Sequence, residues 1–150
     1  MSNSSGRDDS HNGTEVARNP WGLILRYEEW RTLELRWLPT QMSDAGFKET
    51  LQLLAQMGEQ YRPMFMIIDA TEFRHDFGEG VMQWRDESII PRYNGAGVTK
   101  FAFITGEGVP FPTVESGAQP EPDGPATFPT GWFAGRDRAY QWLAETAAAG

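Results

Sequence analysis

Hydrophobic and polar residues alternate with period two over Leu23, Leu25 and Tyr27, and again, more cleanly, over Leu33, Leu35 and Trp37. That is the spacing of a strand with one buried face. The short polar link Glu28-Glu29-Trp30-Arg31 between the two runs predicts a hairpin, and Pro39 stops the second strand. The period then changes. Ser43 suits an N-cap and Asp44 a first helical turn, after which Phe47, Leu51, Leu54 and Tyr61 recur at helical spacing until Pro63. The chain next turns apolar without alternation through Met64-Phe65-Met66-Ile67-Ile68, ends that run on Asp69, and opens into Arg74-His75-Asp76. A run of this length bounded by polar turn residues reads as a strand buried on both faces, as in the middle of an α/β sheet.

A second helix is predicted over about residues 78–90, limited by Pro91. Asn94-Gly95-Ala96-Gly97 reads as a turn, residues 100–105 as a second buried strand, and residues 130–134 as a short last strand. A final helix follows, with Ala139, Trp142 and Leu143 inward. Residues 106–129 fit no regular element. They hold six of the ten prolines, and their charges are all acidic. Residues 1–19, rich in Ser, Asn, Gly and Asp, read as a disordered tail. The order β-β-α-β-α-β-long loop-β-α predicts one α/β domain over residues 20–147. Its single mixed sheet opens with an antiparallel hairpin and continues with largely parallel strands joined by right-handed crossovers, with helices mainly on one face.

Composition narrows the function classes. A chain of 150 residues suits one domain with a substantial core. No cysteine is present, so disulfides, thiolate metal sites and cysteine nucleophiles are excluded, and a reducing, cytoplasmic compartment fits. No apolar run reaches the roughly 18 residues of a membrane span, and the first residues lack the apolar stretch of a signal peptide. The net charge of −8, with Lys48 and Lys100 as the only lysines, argues against nucleic acid as a partner.

Three segments carry a family resemblance. They are the opening hairpin with the Phe47-to-Tyr61 helix, the strand ending Ile67-Ile68-Asp69, and Trp132-Phe133 followed by Arg136-Asp137-Arg138-Ala139-Tyr140-Gln141-Trp142-Leu143. Together, over residues 21–146, they resemble the STAS fold of anti-sigma-factor-antagonist-like domains, grouped in some families with Sec14-like sequences. The resemblance implies a regulatory domain acting through protein contact. Regulatory members carry a phosphorylated serine in Asp-Ser-Ser-Gly after the aspartate strand. This chain has Arg74-His75-Asp76-Phe77-Gly78-Glu79-Gly80 there, so that switch does not transfer.

The candidate chemistry clusters at the end of the central strand. Asp69 reads first as a cap for loop amides, bonding near Thr71, and alternatively as an acid in a pocket beside Thr105. His75 reads first as a solvated loop histidine, and alternatively as a general base with Asp76. Phe73, Phe77 and Trp84 would line an apolar pocket. Trp30, in the hairpin turn, is expected to be exposed or at an interface, and Met82 to be core. No metal site, cofactor motif or nucleophile motif is present in the sequence. The leading expectation is a non-enzymatic binding domain that contacts a protein partner or a second copy of itself as a homodimer. Asp69, Thr71, Phe73, His75, Asp76, Phe77, Trp84 and Thr105 would form its contact or ligand surface. The alternatives are a module for a small apolar ligand, with residues 106–129 as a lid, and an enzyme using His75 and Asp76.

Overall fold

A computed structural model of the chain describes residues 13–73, 75, 77–105, 121–122 and 125–149. Strands β1 (Thr14–Arg18), β2 (Gly22–Tyr27), β3 (Thr32–Trp37), β4 (Phe65–Asp69), β5 (Lys100–Ile104), β6 (Glu121–Pro122) and β7 (Pro129–Phe133) form one seven-stranded sheet in the order β1-β2-β3-β4-β5-β7-β6. The first three are antiparallel. β3, β4, β5 and β7 are parallel, and β6 returns antiparallel to β7. This is the mixed α/β sheet that the period-two runs and the apolar strands predict.

Two stretches read as irregular contribute strands. Thr14–Arg18, inside the segment read as a tail, is the edge strand β1. Its two apolar residues could not hold a strand alone. The open edge of β2 supplies backbone partners, with a register shift between Glu15 and Ala17, and Val16 and Ala17 pack on the core. Residues 1–12 lie outside the described residues. Within 106–129, Glu121–Pro122 pairs with Pro129 and Thr130, and Phe128 is a core residue. Asn94 fixes this end of the segment to the neighbouring helix. Its side chain donates to the Pro125 carbonyl and accepts from the Thr127 amide and hydroxyl. Residues 106–120, on which most of the lid expectation falls, lie outside the described residues.

Helix α1 (Asp44–Tyr61) begins where its cap predicts, with Ser43 Oγ accepting from the Gly46 amide at 3.0 Å. Arg62, in the left-handed region at φ 51°, closes it one residue before Pro63. The second helix departs from the sequence reading. α2 (Val81–Trp84), a π-helical stretch (Arg85–Ile89) and α3 (Ile90–Ala96) run on from one another, so Pro91 does not end the helix. A proline ring inside an α-helix collides with the carbonyl four residues back, here that of Glu87. The wider π turn immediately before it relieves that contact.

Asn94–Ala96 is the last turn of α3 rather than a free turn, and Gly97 (φ 94°) is its left-handed cap. Gly95 sits in the helix with open space where a Cβ would be. The two glycines should therefore respond with opposite signs. In urea denaturation, Gly97→Ala is expected to destabilise by about 1 kcal/mol and Gly95→Ala to stabilise by about 0.5–1 kcal/mol.

Register across the parallel strands sorts side chains into two faces. Leu35, Ile68, Phe103 and Trp132 form one row across β3, β4, β5 and β7, and Glu34, Ile67, Ala102 and Gly131 form a row on the other face. α1, α2 and α3 cover the first face. Helix α4 (Arg136–Ala149) covers the second, packing Ala139, Trp142 and Leu143 against Phe65, Ile67, Ala102, Ile104 and Phe133. Lys100 secures α4 by donating to the Trp142 carbonyl at 2.7 Å, its ammonium 4.0 Å from the centre of the Trp142 ring. Trp30 is half-buried rather than exposed. Its ring meets that of Tyr140 on α4 at 4.5 Å, which draws the hairpin turn inward.

Candidate functional site

The first face is incompletely filled. At the C-terminal ends of the parallel strands, sheet and helices flank a half-open cavity of about 410 Å³. That size lies within the roughly 300–1,000 Å³ usual for small-molecule sites, and that end of an α/β sheet is where such sites form. The sheet supplies the floor: Ile68, Phe101, Phe103, Thr130 and Trp132. Phe103 and Trp132 are register partners, and their rings stack 4.2 Å apart at 10°. Phe128 stacks on Phe101 at 5.8 Å. Phe47 and Leu51 of α1 and Ile90 and Tyr93 of α3 form walls. The loop after β4 contributes Phe73, His75 and Phe77. Phe47, Phe73 and Phe77 lie within 6 Å of one another, with Trp37 packed behind at 5.0 Å from Phe73.

Few polar groups interrupt this surface. His75 Nε2 lies 2.7 Å from Asp44 Oδ1, and the Gly78 amide donates to the same carboxylate at 3.1 Å. The hydrogen bonds from His75 and then from the Gly78 amide hold the Asp44 carboxyl below its ordinary value. Asp44 therefore ties the aromatic loop to the first turn of α1. Arg85 borders the cavity with its guanidinium paired to Asp86 at 2.8 Å. The Tyr93 hydroxyl is the one buried side-chain polar atom with no hydrogen-bond partner among the described residues. Burial raises its pKa well above the ordinary phenol value, so it stays protonated.

The residues singled out from the sequence divide between the two faces. Phe73, His75, Phe77 and Thr105 meet at the cavity. Asp69 and Thr71 do not. Strand alternation turns Asp69 to the other face from Ile68, where it accepts from Arg136 at 3.4 Å, and it caps the Thr71 amide at 3.0 Å. Thr71 itself is exposed. Trp84 packs on the core next to Lys48, whose ammonium lies 5.4 Å from its ring. Met82 and Arg85 take the cavity side, because one helical residue rotates a side chain by about 100°. Met82 is accordingly 36% exposed rather than core. Asp76 lies outside the described residues, and the carboxylate that His75 meets is Asp44.

Tyr93, Arg85, Phe103, Phe128 and Trp132 belong to the cavity although no short-range sequence pattern marks any of the five for it. Among the described residues, no Ser, Cys or Lys lines the cavity with His75, and no group of three or more His, Cys, Asp or Glu is placed to hold a metal ion.

The opposite face carries a second polar constellation that is complete in itself. Glu34 is 0% exposed on β3, next to the central strand. It accepts two hydrogen bonds from Arg136, at 2.6 and 2.7 Å, two from Arg36 at 3.0 and 3.2 Å and one from the Tyr140 hydroxyl at 2.9 Å. Desolvation works against the Glu34 charge, but the Arg136 and Arg36 guanidiniums and the Tyr140 hydroxyl outweigh it and hold the carboxyl below its ordinary value. Two arginines match Glu34 and Asp69, so the charges balance and the network fixes α4 to the sheet.

The fold and cavity thus define an α/β domain with an aromatic, ligand-sized cavity at the C-terminal edge of its sheet. No family model matches the chain, and no curated protein or solved structure is similar to it at a significant level. Among the described residues no helix is long and apolar enough to cross a membrane.

Proposed function

We propose that this domain is a non-enzymatic binding module that takes a small apolar molecule into the cavity between its sheet and α1 and α3. The observation that carries the reading is the cavity itself, walled by aromatic rings from six separate segments. A close-packed interior does not leave such a space without cost, because its lining forfeits contacts. The element order supports reading the scaffold as a divergent STAS-like domain whose sheet edge serves a small molecule instead of a phosphorylated serine.

Naphthalene tests this. Titrated into the protein and followed by two-dimensional NMR, it is expected to shift the indole signals of Trp37 and Trp132. Trp142, behind the sheet on α4, should stay in place. Ala70→Trp, which fills the cavity from the end of β4, is expected to weaken binding at least about tenfold. Absence of saturable shifts at Trp37 and Trp132 would end the proposal.

A second reading draws on Phe77 and Met82, the two large apolar side chains most exposed among the described residues, at 38% and 36%. They sit at the cavity mouth and support contact with a protein partner or a second copy at this edge. Sedimentation equilibrium separates the cases. A dimer broken by Phe77→Glu supports contact between copies, and a monomer at all concentrations removes the homodimer.

A further inference from the structure

We propose that the end of the sheet opposite the aromatic cavity carries a second site, a cleft that binds a small polyanion through Arg26, Arg31 and Arg62. This site is independent of the aromatic cavity and of the reading given to it above. At the N-terminal ends of β3, β4 and β5, the hairpin turn and the ends of α1 and α3 border a half-open cleft of about 550 Å³. Three arginines line it, although the chain has a net charge of −8. They come from three separate segments: Arg26 from β2, Arg31 from the hairpin turn and Arg62 from the residue after α1.

The backbone singles out two of them. Among the described residues, Arg31 and Arg62 are the only non-glycine residues with positive φ, both at 51°. Glycine is the residue such positions favour, because a Cβ there is strained. Main-chain bonds impose the conformation. The Arg31 amide donates to the Glu28 carbonyl at 3.1 Å, and the Arg31 carbonyl accepts from the Met64 and Phe65 amides at 2.9 and 3.1 Å. The Arg62 amide donates to the Gly58 carbonyl at 2.8 Å. The fold thus favours glycine twice at the rim of one cleft, and the sequence has arginine both times. Core packing does not account for either side chain, since both residues are exposed. Strain kept at a site in this way points to a use for the side chain.

Local partners do not use up the charge. Among the described residues, Arg26 meets Glu28 at 3.8 Å and lies 4.7 Å over the Tyr61 ring, and Arg62 reaches the Gly95 carbonyl at 3.4 Å. The carbonyl ends of α1 and α3 add about half a negative charge each. With Glu28 they amount to about two negative charges against three guanidiniums, which leaves the cleft positive. Guanidinium forks match the oxygens of phosphates and carboxylates. Arginines arriving from three segments, in a cleft larger than one such group, fit a ligand that carries several.

Tripolyphosphate and citrate, titrated separately into the full chain at low ionic strength, test this. Followed through the arginine Nε–H signals by two-dimensional NMR, at least one of them is expected to give saturable shifts at Arg31 and Arg62. Which one does so tells phosphate from carboxylate recognition. Arg92, whose guanidinium Glu59 already holds by two bonds of 2.8 Å, should stay in place. Arg31→Gly and Arg62→Gly are each expected to weaken binding about fivefold or more, with the melting temperature unchanged or raised because glycine suits the backbone.

The absence of saturable shifts at Arg31 and Arg62 with either probe overturns the proposal. Equal shifts at Arg92 overturn it as well, since they mark a general attraction of anions to arginine. Glycine variants that bind as tightly as the wild type also overturn it, leaving the arginines as partners of the helix carbonyls. The wild-type titration decides by itself if a variant does not fold.

Discussion

Glu34→Ala is expected to destabilise the domain by about 3–5 kcal/mol, the largest loss from any single substitution considered for it. The residue is completely buried, and its carboxylate is held by Arg136, Arg36 and Tyr140. Removing one partner of a buried ion pair leaves the other charge desolvated and unmatched, and that loss exceeds the net value of the intact pair. Arg136 opens α4, so the damage should spread to the packing of the whole helix on the sheet. Urea denaturation monitored by the near-ultraviolet signal of Trp142 reads it directly. A loss below about 1 kcal/mol would show that α4 is held by apolar packing alone.

The same network predicts an acid limit. Glu34 has a folded pKa below its ordinary value, so it binds fewer protons folded than unfolded as pH falls. Its contribution is fully present above the ordinary glutamate value of about 4.3 and is lost as pH falls through the lower folded value. Between about pH 6 and pH 3, wild-type stability should therefore fall more steeply than that of Glu34→Gln, which has no proton to gain at that position.

Tyr93→Phe is expected to act in the opposite direction, raising the stability of the ligand-free domain by about 1–3 kcal/mol. The substitution keeps the ring that packs on Phe101 at 5.4 Å and removes only the hydroxyl, which has no partner among the described residues. Relief of an unsatisfied buried donor recovers its desolvation penalty. For a domain of this size each kcal/mol corresponds to about 2–4 °C in melting temperature, so calorimetry would resolve it. A melting temperature that falls instead would mean that the hydroxyl is already satisfied by an ordered water.

The two polar features differ in how far the sequence reveals them. Glu34 lies within the alternating run Leu33-Glu34-Leu35-Arg36-Trp37, where period two places it opposite the leucines, on a face that reads as solvent. It is buried because α4, about a hundred residues later, lays Arg136 and Tyr140 over that face. Asp69 is the clearer case for local reading. Its bond to the Thr71 amide spans two residues and is written in the sequence. Its distance from the cavity follows from strand alternation once the buried face is known. His75 is intermediate. The sequence marks it as a candidate beside Asp76, and the chain brings it to Asp44 across the turn into α1.

The sequence alone determined the class of fold and the placement of most of its elements. Periodicity, caps and prolines act over a few residues, and those distances are what a linear pattern records. It also marked the loop after β4 as the place of interest, because a strand buried on both faces must present its chemistry at its end. The tertiary structure decided which face each half-buried residue serves. It drew Thr14–Arg18 into the sheet through the free edge of β2, and it carried the helix past Pro91 with a π turn. It also gathered Phe47, Phe73, Tyr93, Phe103, Phe128 and Trp132 around one cavity. That space arises where sheet and helices separated by tens of residues do not quite fill each other, a property of packing that no short stretch of sequence encodes.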